Sequence, residues 1–209
     1  LLIESDTMTL RQYNAYKEQL FGVQLDDTSK LSDIISAMRI IKSDEEIQCI
    51  SAAQAIAERA FTKLINSLKA GISEKKTAAM LNYFMMDFGA DDLSFATIAA
   101  SGVNSASPHA VPTEKKLVNG EFLTLDFGAV VNGYHSDMTR TVVIGRPTDK
   151  MKEVYAAVYS ANTDAIKAVK AGISAKLLDN IARSTLSAWG YEEYFGHALG
   201  HGVGLEIHE

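Results

Sequence analysis

The chain contains an internal repeat, and this duplication constrains its fold more than any other feature of the sequence. LKAGISEKKTAAMLNYFMMDFG at 68–89 aligns with VKAGISAKLLDNIARSTLSAWG at 169–190. Each copy reads as the end of one helix, a Gly-Ile-Ser turn whose serine caps the next helix, and a second helix closed by glycine. AGIS alone is a common turn between helices, but this much structure in register favours a duplicated half-domain. We therefore predict an α+β domain with pseudo-twofold symmetry, in which a site lies where the halves meet.

Capping signals and glycines set the remaining element boundaries. Thr9 with Gln12 and Ser43 with Glu46 each form a capping box, which predicts helices beginning at these points. The other predicted elements are helices at about 74–88, 150–170 and 175–189, a strand-rich middle at about 94–145, and a polar linker at 26–30.

The strand-rich middle contains LDFGAVVNGYHSDMTRT, in which Asn132-Gly133 is a strong signal for a two-residue hairpin turn. In the register that this turn sets, Asp137 faces Gly128, and Asp126 lies two residues from Gly128 along its strand. Because side chains alternate between faces with period two, both aspartates project from the same face as diagonal neighbours, about 7–8 Å apart. We expect Gly128, which has no side chain, to leave the space between them open.

Two carboxylates that converge on a partly buried face repel each other and lose hydration, so they require a compensating positive charge or a proton. Arg140 has the wrong parity to supply that charge. A divalent cation, or a pair of cations about 3.5–4 Å apart, fits the spacing. The alternative is that both aspartates are simply solvated on an exposed face, which is the commoner arrangement for two acids on an arbitrary hairpin.

The five histidines bear on this choice, because three of them fall in the last thirteen residues, within GHALGHGVGLEIHE. His197 and His201 have the i, i+4 spacing of a zinc pair, but the surrounding glycines argue against a helix. In an extended segment these two share a face and His208 does not. A lone histidine is more often structural, whereas this group favours a metal or catalytic role. His109 lies in a loop of small residues where it could face a substrate, and His135 reads as a pairing or surface residue.

Composition limits the classes of protein that remain. The chain has 209 residues, 47% of them hydrophobic, and a net charge of −6. This mild acidity gives no reason to expect nucleic acid or an anionic membrane as a partner, and no apolar run approaches the roughly 18 residues of a membrane span. The single cysteine, Cys49, excludes an internal disulfide and fits a reducing compartment, so a cytoplasmic location is expected.

Four segments in this order resemble the pita-bread metallopeptidases, which include methionine aminopeptidase, Xaa-Pro aminopeptidase and prolidase. The segments are RIIKSDEEI, SGVNSASPHA, LDFGAVVNGYHSDMTRT and GHALGHGVGLEIHE, and the likeness covers about residues 39–209. The resemblance implies the pseudo-twofold pita-bread fold. It further implies that 1–24 is the tail of an N-terminal creatinase-type domain, 25–42 a linker, and 43–209 a catalytic domain lacking its C-terminal strands.

The resemblance also assigns roles to matching positions. The implied metal ligands are Asp126, Asp137 and His201, and the implied substrate-side residues are His109, His197 and His208. Asp137 would bridge two ions of Mn²⁺, Co²⁺ or Zn²⁺, and His109 and His208 would help to hold or protonate the peptide as catalytic groups. The family pattern has two further glutamate ligands, one of them also the general base, downstream of the motif that ends here at Glu209. The chain therefore resembles a truncated piece of an active enzyme.

The function that the resemblance implies is hydrolysis of the bond between an N-terminal residue and proline, as in a Xaa-Pro aminopeptidase. Prolidase, which is restricted to Xaa-Pro dipeptides, is the near alternative. A non-catalytic binding module built on the same fold is an alternative of another class, although the three checkable ligand positions all hold the right residue type. The expected partners are a proline-containing peptide and a second copy of the chain in a homodimer, with neither nucleic acid nor a membrane.

Overall fold

The computed structural model describes all residues from Leu1 to Glu209. Its helices are α1 (Leu10–Gln19), α2 (Lys30–Ile40), α3 (Asp44–Ile65), α4 (Glu74–Asp87), α5 (Asp149–Ala168) and α6 (Ala175–Ala188). The strands lie between α4 and α5 and are β1 (Asp92–Leu93), β2 (Ile98–Ser101), β3 (Phe122–Phe127), β4 (Ala129–Val131), β5 (Tyr134–His135) and β6 (Met138–Val143). Short 3-10 helices occupy Gly102–Ala106 and Glu192–Tyr194.

The helix starts follow the capping signals. Thr9 and Ser43 form the two predicted capping boxes, and each accepts a hydrogen bond from the backbone N–H three residues further on. Ser73 and Ser174, the serines of the two AGIS turns, cap α4 and α6 in the same way. The helical part of the repeat is therefore confirmed. No strand follows α6, however, so the strands of the second half do not recur, and residues 195–209 have no regular secondary structure.

Two parts of the prediction for the N-terminal region have different outcomes. The segment 25–42 was expected to be a linker, but most of it forms α2, an 11-residue helix. The helix has no side-chain hydrogen bond at its N-cap, so no capping signal marks where it begins. The assignment of 1–24 to a separate domain stays a prediction.

The strands form two antiparallel sheets, with orders β1-β4-β5 and β2-β3-β6. The hairpin turns at Asn132-Gly133, where both residues have positive φ, and Val131 pairs with Tyr134. The register continues into β3 and β6, where Asp126 pairs with Thr139. The predicted register is thus confirmed across both sheets.

One face of the β2-β3-β6 sheet is covered by helices. Leu123, Leu125 and Phe127 alternate along β3 as fully buried residues, and they belong to a core cluster that includes side chains of α3 and α4. Phe127 stacks on Phe61 of α3 with ring centroids 6.2 Å apart. The intervening residues of β3, including Asp126, are half-buried on the opposite face. A second, smaller core lies between α5 and α6. None of the helices is long and apolar enough to cross a bilayer.

Gly128 marks the point where the hairpin passes from one sheet to the other. A Cβ atom at this position would overlap the backbone carbonyl of Ser136 and would lie 2.9 Å from the Cβ of Ser94. The expectation that Gly128 opens space between the two aspartates is therefore wrong. The glycine is required because another strand's backbone approaches it closely.

We predict that Gly128→Ala lowers the free energy of unfolding by about 3 kcal/mol, because the new methyl group meets backbone that cannot move aside. Urea denaturation followed by circular dichroism measures the change. Gly200→Ala is the matched control, since a Cβ at Gly200 meets nothing within 4 Å. Equal stability of the two variants would contradict the close-approach argument.

Candidate metal and substrate site

The two aspartates converge on the face of the sheet that the helices leave open. Asp126 is the fifth residue of β3, and Asp137 immediately precedes β6. The hydroxyl of Thr139 donates a 2.9 Å hydrogen bond to Oδ1 of Asp126. Burial raises the pKa of Asp126 above its ordinary value; the hydrogen bond from Thr139 opposes this rise, and the negative charge of Asp137 adds to it. The site therefore brings two carboxylates together under mutual repulsion, as the register predicted.

His201 is the histidine that meets this pair. Its Nε2 lies 3.2 Å from Oδ2 of Asp137, and its Nδ1 lies 2.8 Å from the carbonyl oxygen of Gly202. A carbonyl only accepts, so this contact is a hydrogen bond when Nδ1 carries the proton. In that tautomer the lone pair of Nε2 points at the carboxylate. A cation shared by the two side chains would then bind both the lone pair and the carboxylate.

This tautomer is the one that metal-binding histidines use, because a backbone carbonyl holds the far N–H and leaves the other nitrogen free as a ligand. Oxygen donors from Asp126 and Asp137 with one imidazole suit several divalent ions. No three histidine, cysteine or acidic side chains converge with the geometry of a complete metal site. The donor chemistry thus fits a divalent cation, and the ligand assignments stay predictions.

His208 lies beside His201, with ring centroids 4.2 Å apart. The contact arises because Gly202 and Glu209 exchange two backbone hydrogen bonds, of 3.0 and 3.1 Å, which fold 202–209 back on itself. A Cβ at Gly202 would meet the carbonyl oxygen of Glu209 at 2.5 Å, and one at Gly204 would overlap its carboxylate. Glycines in this segment therefore permit close backbone approach, as the sequence suggested.

Two basic side chains from the N-terminal part of the chain hold the carboxylate of Glu209. Its Oε2 lies 2.9 Å from Nζ of Lys42, and its Oε1 lies 3.6 Å from Nε of Arg39. Arg39 also pairs with Glu206 at 3.1 Å. The glutamate side chain is only 5% exposed, so these cations are its main compensation. Helix α2 and the residues after it thus fix the turn that presents His208.

His197 lies apart from the other two terminal histidines. Its ring packs edge-on against Phe195 with centroids 5.0 Å apart, and its Nδ1 contacts the carbonyl of the next residue. The prediction that His197 shares a face with His201 while His208 points away is wrong. It assumed an extended segment, and the segment is a series of bends stabilised by Arg183, which donates to the carbonyls of residues 195 and 197.

The two remaining histidines differ in their surroundings. His109 lies in the exposed turn after the first 3-10 helix, and no hydrogen bond or ion pair joins its ring to the aspartates. His135 pairs with Val130 within the hairpin, as predicted, and its backbone N–H donates to the carbonyl of Gly204 at 2.8 Å. The hairpin therefore docks the terminal segment directly.

Sequence reasoning missed the charged residues that hold the site's loops, namely Arg39, Lys42, Glu74 and Arg183. The basic pair lies in RIIKSDEEI, and Glu74 follows the serine that caps α4. Their partners in these loops, and those of Arg183, lie at least 12 residues away in the chain, so spacing alone gives no signal of the contacts.

Comparison with known proteins agrees with this fold. The family model for metallopeptidase family M24 matches residues 48–209. The chain thus has the architecture of the pita-bread metallopeptidases, and the predicted fold class is confirmed. It belongs to metallopeptidase family M24.

Three of the proteins that match this chain are named as Xaa-Pro or X-Pro peptidases. The Xaa-Pro dipeptidase of Pyrococcus horikoshii is 43% identical over 197 residues, which are 94% of this chain and 56% of the relative. The structure of the Xaa-Pro dipeptidase from Bacillus anthracis matches with a TM-score of 0.95 at 42% identity, over 100% of this chain and 58% of that one. The X-Pro aminopeptidase from Thermotoga maritima matches with a TM-score of 0.93 at 40% identity, again over 100% and 58%. This chain spans little more than half the length of these proteins.

We predict that Arg183→Lys increases amide hydrogen exchange at 195–199 about tenfold, because lysine cannot replace both carbonyl contacts and the 2.7 Å ion pair with Asp179. Hydrogen exchange measured by mass spectrometry reports the change. Arg146→Lys, at an exposed position, is the control. Unchanged exchange at 195–199 would show that Arg183 does not hold the segment.

Proposed function

We propose that the protein hydrolyses the peptide bond between an N-terminal residue and a following proline, as a Xaa-Pro aminopeptidase, with Asp126, Asp137 and His201 contributing ligands to two divalent metal ions. The observation that carries the proposal is the approach of His201 Nε2 to within 3.2 Å of the Asp137 carboxylate, with Nδ1 already committed to a carbonyl. Mn²⁺, Co²⁺ and Zn²⁺ all suit such a donor set.

Electrostatics favour a cation over a solvated acidic patch. The side chains of Asp137 and His201 are 27% and 34% exposed, so an ion can reach them from solvent. Asp126 is more buried, and its raised pKa shows that its negative charge is poorly compensated. No lysine or arginine forms an ion pair with either aspartate. A divalent ion would therefore relieve a repulsion that no lysine or arginine compensates.

The chain's own residues would orient the reacting groups. Thr139 holds one oxygen of Asp126, which fixes the orientation of that carboxylate. His208, which packs on His201, would donate a hydrogen bond to a peptide bound beside the aspartates. Bound divalent ions would supply a Lewis acid for the scissile carbonyl and lower the pKa of a water molecule. His109 and His197 would line the more distant part of the peptide site.

Prolidase activity is the second candidate. Proteins named Xaa-Pro dipeptidase and X-Pro aminopeptidase both resemble this chain at similar identity, so the length of the peptide is the open variable. A binding module without catalysis is less favoured, because the two aspartates and His201 retain donor side chains that such a module has no need to keep.

We predict that the protein binds Mn²⁺ saturably and that Asp137→Asn weakens binding at least tenfold, because the amide removes the negative charge of a proposed ligand. Isothermal titration calorimetry measures the affinity. Asp149→Asn is the matched control, since that side chain is fully exposed at the start of α5. Equal affinity for the two variants would show that Asp137 does not bind the metal.

Substrate length separates the two peptidases. We predict that the full-length protein, with any sequence that precedes Leu1 or follows Glu209, releases alanine from Ala-Pro-Ala when Mn²⁺ is supplied. Release of free alanine, measured by amino-acid analysis, is the readout. Cleavage of Ala-Pro but not of Ala-Pro-Ala would favour prolidase, and cleavage of neither would favour a binding module.

A further inference from the structure

Glu74 is a charged side chain that the proposed chemistry does not use, yet it is completely buried at the first position of α4. A buried carboxylate is costly unless hydrogen bonds and nearby dipoles compensate it. Glu74 is fully compensated, by donors from a single loop. Apolar packing therefore does not explain why this charged side chain lies here.

The donors lie at the two ends of one loop. Oε1 accepts from the backbone N–H of Ser101 at 2.7 Å and from its hydroxyl at 2.9 Å. Oε2 accepts from the backbone N–H of Thr113 at 3.0 Å and from its hydroxyl at 2.7 Å. The side-chain amide of Asn104 donates to both oxygens at 3.1 Å. One carboxylate thus closes the base of the segment 102–112, which we call the His109 loop.

Packing does little to fix this loop. Its two valines, Val103 and Val111, are 84% and 77% exposed, and none of its residues is buried. Apart from its short 3-10 helix, it has no regular secondary structure. Hydrogen bonds to Glu74 are consequently the main restraint on where His109 lies relative to the sheet.

The carboxylate is kept in its charged form. Burial raises the pKa of Glu74, but the hydrogen bonds from Thr113 and Ser101 outweigh this and hold the pKa below its ordinary value. The ammonium group of Lys115 donates to the Ser101 hydroxyl at 2.9 Å and is itself paired with the carboxylate of Glu121. An ionised carboxylate has no proton to donate, so Glu74 acts only as a hydrogen-bond acceptor for the donors around it.

We propose that Glu74 is a positioning residue that closes the His109 loop and so sets where His109 meets the peptide. The inference rests on the proposed function, in which His109 contacts the substrate. Glu74 itself never touches the peptide, because it lies beneath the loop and is sealed from solvent.

The first test measures structure and does not depend on peptidase activity. We predict that Glu74→Gln increases amide exchange across 102–113 about tenfold, since the new NH₂ group faces donors instead of acceptors, while the central amides of α3 are unaffected. Glu114→Gln is the matched control, because this neighbouring glutamate is 72% exposed. Thr113→Val, which removes one hydroxyl donor and keeps the shape, provides a milder variant if Glu74→Gln fails to fold. Unchanged exchange in the loop would overturn the proposal.

The second test is a double-mutant cycle on the full-length protein loaded with Mn²⁺, with Ala-Pro-Ala as substrate. We predict that Glu74→Gln lowers kcat/KM about tenfold in the unsubstituted protein but less than twofold in a His109→Ala background, because the loop then has no histidine to position. A purely structural role would reduce kcat/KM equally in both backgrounds, and that result would overturn the proposal.

The outcomes separate the two hypotheses. Activity of the unsubstituted protein with equal losses in both backgrounds would overturn the role of Glu74 and leave the proposed function intact. An unsubstituted protein without activity toward Ala-Pro or Ala-Pro-Ala would overturn the proposed function and the positioning role with it, whatever the exchange rates show.

Discussion

The register of the Asn132-Gly133 hairpin is the constraint on which the rest of the site depends. Side chains alternate strictly between the faces of a strand, so a slip of one residue would move Asp126 into the helix-covered core and bring Leu125 out. The Asn-Gly turn fixes the register at one end. Burial of alternate residues of β3 against α3 and α4 enforces it at the other. The backbone pairing therefore keeps the two carboxylates on one face even though they repel each other.

The same hairpin also determines how each of the two aspartates is held. The strands change sheets at Gly128, where the backbone of Ser136 approaches too closely for any side chain. This crossing leaves Asp137 just before β6, outside the regular pairing of that strand. One carboxylate is thus held within a strand and the other at a strand end, between the buried residues Ser136 and Met138.

Sequence patterns predicted the parts of this structure that local interactions determine. Capping boxes, the AGIS turns and the hairpin register all involve residues within a few positions of each other, and each was confirmed. The prediction failed where the chain leaves regular structure. Parity arguments placed His197 beside His201, whereas bends between 195 and 209 place His208 there instead. The first residue of helix α2 has no sequence signal, because the helix begins without a side-chain cap.

The contacts that no pattern could show are ion pairs and hydrogen bonds over long sequence separations, and these share one design. In each case a helix or its flank carries a charged side chain that holds an irregular segment bearing a histidine. Glu74 of α4 holds the His109 loop, Arg183 of α6 holds the backbone around His197, and Lys42 after α2 holds the turn of His208 through Glu209.

This arrangement has a physical reason. A loop that holds a histidine at the protein surface cannot also bury much apolar surface, so it needs restraints that do not come from the hydrophobic core. Charge-assisted hydrogen bonds to backbone groups are short, directional and about twice as strong as neutral ones. Anchoring them on helices transfers the rigidity of the packed core to the loops. The sheet then locates the acidic groups by register, whereas the helices locate the histidines by charge.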